Sequence, residues 1–157
     1  MITFESITKK YPDGTVAVDS LTLEVPTGTL AAFVGPSGCG KTTSMRMVNR
    51  MIDPTSGTLT VDGRDISKVD PVKLRLGIGY VIQSAGLMPH QRVIDNVATV
   101  PVLRGQSRRA ARKSAYEVLE RVGLDPRLGG RYPAQLSGGQ QQRVGVARAL
   151  AADPPIL

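Results

Sequence analysis

The first feature of this 157-residue sequence that could do chemistry is a glycine-rich stretch. It reads Gly35-Pro36-Ser37-Gly38-Cys39-Gly40-Lys41-Thr42 and fits the pattern G-x-x-x-x-G-K-[ST] without a mismatch. Glycines let the backbone wrap closely around a polyphosphate, so that successive N–H groups point at its negative charge. Lys41 can reach the outer phosphates as a point charge, and the Thr42 hydroxyl can ligate Mg²⁺. The alternative is a glycine-rich turn that ends in Lys-Thr by coincidence.

A second glycine group lies near the end of the chain, at Leu136-Ser137-Gly138-Gly139-Gln140. Ser137 and Gln140 have the spacing of a capping box, which predicts that a helix begins here. The N–H groups of Gly138 and Gly139 would then form another anion site at a helix N-terminus. One nucleotide rarely needs two such termini from one chain. We therefore expect this second site to face a nucleotide held by another subunit.

The first glycine loop requires a strand before it and a helix after it. Leu30 to Val34 is a run of apolar residues bounded by glycines, which predicts a central strand covered on both faces. From Lys41 to Met51 the sequence places Met45 and Val48 at helical spacing, which predicts a helix. We expect the methionines at 45, 47 and 51 to pack in the core.

The remaining elements follow from apolar periodicity. Alternation at 21–25 and at 58–61 predicts strands with one buried face, and 78–82 is a further candidate strand. Beyond Pro89 the pattern is helical. Helices are expected over 107–124, with Ser107 as N-cap and Gly123 as terminator, and from Ser137 to about Asp153.

Composition excludes several classes of protein. The chain is 41% apolar, which suffices for a core, but no apolar run approaches the roughly 20 residues of a bilayer span. The start lacks the features of a secretory signal. Cys39 is the only cysteine, so neither an intrachain disulfide nor a cysteine zinc site can form, and we interpret it as a small residue of the loop.

Most of the net charge of +7 lies in residues 104–131, which hold eight Lys/Arg against three Asp/Glu. Three interpretations are open for this basic segment: nucleic-acid binding, proximity to anionic lipid, and a solvated helix face with Glu117 and Arg121 paired. Few aromatic residues are interleaved, so no nucleic-acid partner is expected. Arg108 and Arg109 fall in a first helical turn, where the helix dipole disfavours cations.

With both glycine groups present, the sequence resembles the nucleotide-binding subunit of ABC transporters along its whole length. Leu136 to Gln140 matches the signature motif of that family, Gln83 matches the Q-loop glutamine, and Tyr11 matches the aromatic residue that stacks on adenine. The resemblance implies an α/β fold of the P-loop NTPase class, an ABC-type ATPase core with an antiparallel β subdomain and an inserted α-helical subdomain. It divides the chain into 1–88, with the β subdomain, P-loop and Q-loop; 89–136, the helical subdomain; and 137–157, the signature helix and the start of the Walker B strand.

The same resemblance implies the cofactors ATP and Mg²⁺, with Thr42 and Gln83 as metal ligands. Gln83 would also act in catalysis and coupling, and Ser137 to Gln140 would complete the ATP site of the other subunit. The implied ATP-binding residues are Tyr11, Gly35, Pro36, Ser37, Gly38, Cys39, Gly40, Lys41, Thr42 and Thr43.

The implied partners are a second nucleotide-binding subunit in a head-to-tail dimer, integral-membrane permease subunits and, indirectly, a solute-binding protein. The location would be peripheral, at the cytoplasmic face of the cell membrane. A soluble ABC protein of DNA repair or translation would need paired cassettes or long insertions, and the sequence shows neither.

A finer resemblance is to importers of osmoprotectants such as glycine betaine, choline or carnitine. It rests on the strings Lys41 to Arg50, Asp53 to Gly57 and Ile78 to His90. Two alternatives stay open: an importer of another small solute such as an amino acid, and a nucleotide-binding fragment that does not hydrolyse ATP.

The family pattern continues beyond what this sequence contains. The Walker B strand with its Asp and the catalytic Glu would begin at Ile156-Leu157, and no later switch histidine follows. His90 lies before the signature, in the wrong place for that role, and Glu117 and Glu120 are expected on a solvated helix face. We therefore expect a fragment of a longer ATPase that binds nucleotide weakly at most and does not hydrolyse it.

Overall fold

The computed structural model describes residues 1–157, which divide into two units, Met1–Arg75 and Leu76–Leu157. The first unit is built on a four-stranded antiparallel sheet of spatial order β2-β1-β3-β4. Its strands are β1 Ile2–Lys10, β2 Val16–Val25, β3 Ser56–Val61 and β4 Arg64–Asp65. The strands predicted at 21–25 and 58–61 are confirmed, since they lie within β2 and β3.

One helix packs on this sheet, α1 Lys41–Val48. Its Met47 is fully buried in a cluster with Phe4, Ile7 and Leu59. The prediction of a helix to residue 51 with Met45 and Met51 in the core is wrong, because these two side chains are about half exposed. The helix ends earlier because Arg50 takes a positive φ of 51°.

The central strand predicted at Leu30 to Val34 is not formed. The segment has no strand assignment, and the side chains of Leu30 and Val34 are 99% and 92% exposed. A central strand needs hydrogen-bonded neighbouring strands on both of its edges, and no strand of this chain pairs with 30–34. The apolar run therefore remains uncovered.

The second unit is helical. A short helix, α2 Pro71–Leu76, lies at the end of the first unit and includes the first residue of the second. The helices that follow are α3 Val93–Leu103, α4 Arg108–Arg121 and α5 Gly138–Leu150. The three longer helices share one core, to which they contribute Val97, Leu119 and Val144, all fully buried. Short 3₁₀ turns occupy Ile66–Lys68, Pro126–Gly130 and Pro133–Gln135. No helix combines the length and apolar character needed to cross a membrane.

The helix caps agree with the sequence, whereas the strand at 78–82 does not. Ser107 accepts a hydrogen bond from the Ala110 N–H, which confirms it as the N-cap of α4. Between 78 and 82 only Ile78 is paired, through a parallel bridge to Ile156. The rest of that predicted strand is wrong because no other residue of the chain forms a ladder with it. The subdomain boundaries at 88 and 136 stay predictions.

Candidate functional site

The glycine loop at 35–42 is open to solvent, and its shape depends on two left-handed glycines. Gly38 and Gly40 have φ values of +85° and +88°, which side chains rarely tolerate. A Cβ at Gly40 would also lie 2.3 Å from the carbonyl oxygen of Ala17 and 3.0 Å from Cγ2 of Val18, both in β2. Glycine is therefore required at position 40 for conformation and for space.

Lys41 folds back over this loop. Its Nζ donates to the carbonyl oxygens of Gly35 and Pro36, at 2.8 and 2.7 Å, and lies 3.4 Å from Sγ of Cys39. The loop thus curls around one ammonium group. That arrangement fixes a positive charge inside the curve of the backbone, where a polyphosphate would approach.

The first turn of α1 presents backbone donors that no side chain caps. Gly40 is its N-cap and supplies no side-chain acceptor, and the first turn contains no acidic residue. The N–H groups there carry the positive end of the helix dipole, which favours an anion. The Thr42 side chain is exposed beside them, and that of Thr43 is half-buried.

Tyr11 belongs to the same unit as the loop. It occupies the turn between β1 and β2, where its N–H donates to Thr15 and its carbonyl accepts from Gly14. Lys9 places its ammonium 5.4 Å from the centre of the ring. The hairpin that carries Tyr11 also contributes Ala17, the residue in close contact with Gly40.

The signature residues form the N-terminus of α5 as the sequence predicts. Ser137 Oγ accepts from the Gln140 N–H, and Gln140 Oε1 accepts from the Ser137 N–H at 2.9 Å, which confirms the capping box. Leu136 is buried beneath this turn. A Cβ at Gly138 or Gly139 would meet nothing within 4 Å, so open space surrounds the first two helical residues.

Gln83 lies in the second unit, and its side chain is exposed. The segment that follows it is hydrogen-bonded by two residues to which the sequence analysis assigned no role. Gln142 donates to the Gln83 carbonyl oxygen at 2.6 Å, and Arg148 donates to the carbonyl oxygens of Ala85 and Gly86. The sequence did contain a signal for Arg148. This residue follows Val144 by one helical turn, so a cation stands at a position where the apolar stripe of α5 would continue.

A family model described as ABC transporter matches residues 18–157. This chain belongs to the ABC transporter family. It is 47% identical over its whole length to the choline transport ATP-binding protein OpuBA of Bacillus subtilis and 49% identical to the carnitine transport ATP-binding protein OpuCA of Listeria monocytogenes. It covers 41% and 40% of those proteins, so the ABC chain spans less than half the length of these two relatives.

Solved structures agree with this family. The ABC chain resembles the ATP-binding cassette MJ0796, solved as a dimer in a post-hydrolysis state with ADP and Pi, with a TM-score of 0.89 at 33% identity. The similarity covers 98% of the ABC chain and 71% of that structure. The fold class predicted from the sequence, an ABC-type ATPase core, is therefore confirmed.

The basic segment of the ABC chain borders a groove between α3 and α4. This groove has a volume of about 340 Å³ and is lined by Arg92, Arg108 and Arg112, together with His90, Asp95 and Tyr132. Arg112 pairs with Asp95 at 2.7 Å, whereas Arg92 and Arg108 have no ion-pair partner. The predicted pair of Glu117 with Arg121 is not formed; both side chains are exposed and farther apart than an ion pair allows.

Three charged groups near these helices, Asp125, Arg127 and Arg148, have shifted pKa values. A side-chain hydrogen bond from Arg127, which also pairs with Asp125 at 2.6 Å, lowers the pKa of the Asp125 carboxyl. Burial lowers the pKa of the Arg148 guanidinium. Arg148 has no carboxylate partner, and its guanidinium donates instead to two backbone carbonyl oxygens.

Proposed function

We propose that the ABC chain binds ATP at residues 35–42. The observation that carries this proposal is the position of Lys41, whose ammonium is held inside the curve of the loop by the carbonyls of Gly35 and Pro36. Loop amides and the uncapped first turn of α1 would bind the phosphates, and Tyr11 would stack on adenine. An ammonium carries three donors, and those of Lys41 are directed at the two carbonyl oxygens and at Cys39 Sγ. Lys41 would therefore exchange one of these contacts for a phosphate oxygen.

Mg²⁺ would be held by few protein ligands. The chain contains no group of three or more His, Cys, Asp or Glu residues that could form a dedicated metal cage. An exposed hydroxyl at Thr42 and the amide of Gln83 are hard oxygen donors, and Mg²⁺ usually combines one or two such ligands with phosphate oxygens and water. The bound metal neutralises charge that develops on the phosphates.

Ser137 to Gln140 would serve a second subunit. The exposed N-terminus of α5, with open space at Gly138 and Gly139, fits a phosphate that approaches from outside the chain. Two such subunits would close head to tail over two nucleotides. Permease subunits at the cytoplasmic face of the membrane would dock on the groove between α3 and α4, whose unpaired Arg92 and Arg108 suit an acidic segment.

The complete protein would drive uptake of a quaternary-amine osmoprotectant. This part of the proposal is supported by relatives named for choline and carnitine transport that match the whole chain. An importer for another small solute is the alternative. Deletion of the gene should abolish salt-induced uptake of radiolabelled glycine betaine or choline, and a complete gene carrying Lys41→Ala should not restore it. Uptake unchanged after deletion would favour the alternative.

Residues 1–157 should bind ATP without turning it over. Activation of the attacking water needs a positioned group, and the carboxylates of Glu117 and Glu120 are exposed on α4 without a partner that would position them. A fluorescent ATP analogue, titrated with and without Mg²⁺, should bind saturably to the chain and to the control Lys73→Ala but not to Lys41→Ala. Equal binding by all three would refute the assigned site. Phosphate release by the chain that depends on Lys41 would refute the absence of turnover.

A further inference from the structure

Three carbonyl oxygens of the segment Gln83 to Gly86 accept hydrogen bonds from one helix. Gln142 Nε2 donates to Gln83 O at 2.6 Å. Arg148 donates through Nη2 to Ala85 O at 2.9 Å and through Nη1 to Gly86 O at 2.7 Å. Both donors lie on α5, so this helix satisfies the backbone of a segment more than fifty positions earlier in the chain.

Between these two donors, α5 approaches the segment closely. Gly145 lies three residues from each of them, on the same side of the helix. A Cβ there would lie 3.4 Å from both the Cα and the carbonyl oxygen of Ala85, at van der Waals contact with backbone atoms, so a side chain larger than a methyl group has no room. Ala85 is 3% exposed. The small residue at 145 therefore lets the helix and the segment meet with nothing between them.

The segment has a conformation that its own residues do not favour. Ala85 has a φ of 57° and Gly86 a φ of 52°, so two consecutive residues are left-handed and one of them carries a Cβ. Such a backbone persists only where surrounding contacts fix it. Two local backbone hydrogen bonds, from Ala85 N–H to Ile82 O and from Gly86 N–H to Ser84 O, form part of this support, and the bonds from Gln142 and Arg148 with the contact at Gly145 supply the rest from α5.

Arg148 is an unusual residue for a purely structural contact. Its guanidinium is half-buried without a carboxylate partner, and burial lowers its pKa from the ordinary value. The planar fork of arginine directs two donors at two neighbouring carbonyls, which a lysine ammonium cannot reproduce in the same geometry. Arg143, on the same helix, donates instead to the carbonyl of Gly123, at 3.1 Å and far from this segment in sequence.

We propose that Gln142, Gly145 and Arg148 form a clamp that positions Gln83 and fixes it to the helix that begins at Ser137. This inference rests on the proposed function, in which Gln83 contacts Mg²⁺ and the N-terminus of α5 contacts the nucleotide of a second subunit. These three are positioning residues, since they act on the backbone around Gln83 and touch no nucleotide themselves. Through α5, the metal contact of one nucleotide site and the phosphate contact of the other become parts of one rigid element.

The test compares variants of the 157-residue chain in two measurements. The first is amide hydrogen exchange at residues 84–86, which needs no nucleotide. Arg148→Lys and Gln142→Leu should accelerate exchange there at least about tenfold while the core of α3 stays protected. Arg143→Lys, the matched control on the same helix, should leave residues 84–86 unchanged. Unchanged exchange in both clamp variants would overturn the proposal.

The second measurement is the ratio of ATP affinities with and without Mg²⁺. We call this ratio the Mg²⁺ enhancement. Gln83→Ala removes the proposed metal contact, so its Mg²⁺ enhancement shows the largest loss that a change in the position of Gln83 can cause. Arg148→Lys and Gln142→Leu should lose most of the same enhancement with Mg²⁺-free affinity unchanged, and Arg143→Lys should lose none. If Gln83→Ala itself has no effect, the assigned role of Gln83 fails. If Gln83→Ala has an effect and the clamp variants have none, the positioning role fails.

Circular dichroism identifies any variant that does not fold. If Arg148→Lys unfolds, the milder Gln142→Leu decides the outcome, because it removes a single hydrogen bond and leaves the guanidinium contacts in place.

Discussion

The ammonium nitrogen of Lys41 lies 2.8 Å from the carbonyl oxygen of Gly35, at the opposite end of the same loop. This bond closes the loop around a cation. Cys39, the only cysteine, is exposed on the same loop, with Sγ 3.4 Å from that nitrogen. The loop therefore carries both the charge proposed to bind phosphate and a single thiol that can report on binding.

Nucleotide should protect Cys39 from modification. With ATP and Mg²⁺ at about ten times the dissociation constant, roughly nine chains in ten are occupied, so the rate of thiol labelling should fall about tenfold. In Lys41→Ala the same concentration should give less than about twofold protection, because a charge-assisted contact worth about 1.5–3 kcal/mol is lost. The measurement is the rate of reaction with a chromogenic disulfide. Equal protection in both proteins would mean that the nucleotide binds elsewhere.

Gly40 and Gly38 provide a matched pair for the fit of the loop against the sheet. Both have a positive φ, but only Gly40 would clash, with Ala17 in β2, if a Cβ were added. Gly38→Ala should cost about 1–2 kcal/mol from backbone strain, and Gly40→Ala about 2–5 kcal/mol from strain and overpacking. Urea unfolding measures both free energies. The close contact with β2 would be contradicted if the two substitutions cost the same.

An acid at the start of α5 should stabilise the helix and abolish its proposed function. Gly139 is the second helical residue after Ser137, and a side chain there meets no atom of the chain. Gly139→Asp should add about 0.5–1.5 kcal/mol of stability through helix propensity and the dipole. It should also prevent dimer formation in ATP and Mg²⁺, since a carboxylate repels phosphate, as sedimentation velocity can show.

Arg109→Asp is the control for that substitution. Arg109 is the second helical residue of α4 and follows Ser107 as Gly139 follows Ser137. This variant should gain from the dipole but lose helix propensity, so its stability should change less, and it should still form the ATP-dependent dimer. Loss of the dimer in both variants would point to an effect of net charge and not of the α5 terminus.

Local signals in the sequence predicted the sites better than the sheet. The capping box of Ser137 and Gln140 and the N-cap at Ser107 depend on residues three apart, so spacing alone located them. The loop glycines are likewise local, since the positive φ at Gly38 and Gly40 follows from the motif. The site residues themselves stay predictions, because no ligand contact tests them.

Non-local pairing explains what could not be predicted. Leu30 to Val34 has the composition of a buried strand, but a strand is defined by its partners, and composition does not report whether they are present. The contacts of Gln142 and Arg148 with residues 83–86 join positions about sixty apart. Only the fold shows which face of α5 meets that segment.

Two buried asparagines differ in a way that the sequence does not reveal. Asn96 is fully buried and makes four hydrogen bonds, to the N–H and C=O of Met88 and to the carbonyls of Gln91 and Arg92. It therefore fixes the loop that precedes α3. Asn49 accepts one bond from the Met51 N–H, and its Nδ2 has no partner.

Asn96→Ala should consequently cost more stability than Asn49→Ala. The first leaves the Met88 N–H and the Gln91 carbonyl without their hydrogen-bond partner, which predicts a loss of about 2–4 kcal/mol, and the second about 1 kcal/mol or less. Chemical unfolding, followed by hydrogen exchange at Met88 to resolve the local effect, measures the difference. A larger loss for Asn49→Ala would show that its amide contributes more than the single bond to Met51.

The uncovered segment 30–34 should make the chain self-associate. Five consecutive apolar residues with unpaired backbone can form strand pairs with another chain, and the Leu30 side chain is 99% exposed. Leu30→Lys should reduce light scattering at high protein concentration and change the free energy of unfolding by less than about 0.5 kcal/mol, because this side chain packs against little. Val72→Lys, which replaces an isolated valine that is 63% exposed, should leave the scattering unchanged. A fall of similar size in both variants would assign the association to net charge, whereas a fall in Leu30→Lys alone would assign it to the unpaired apolar segment 30–34.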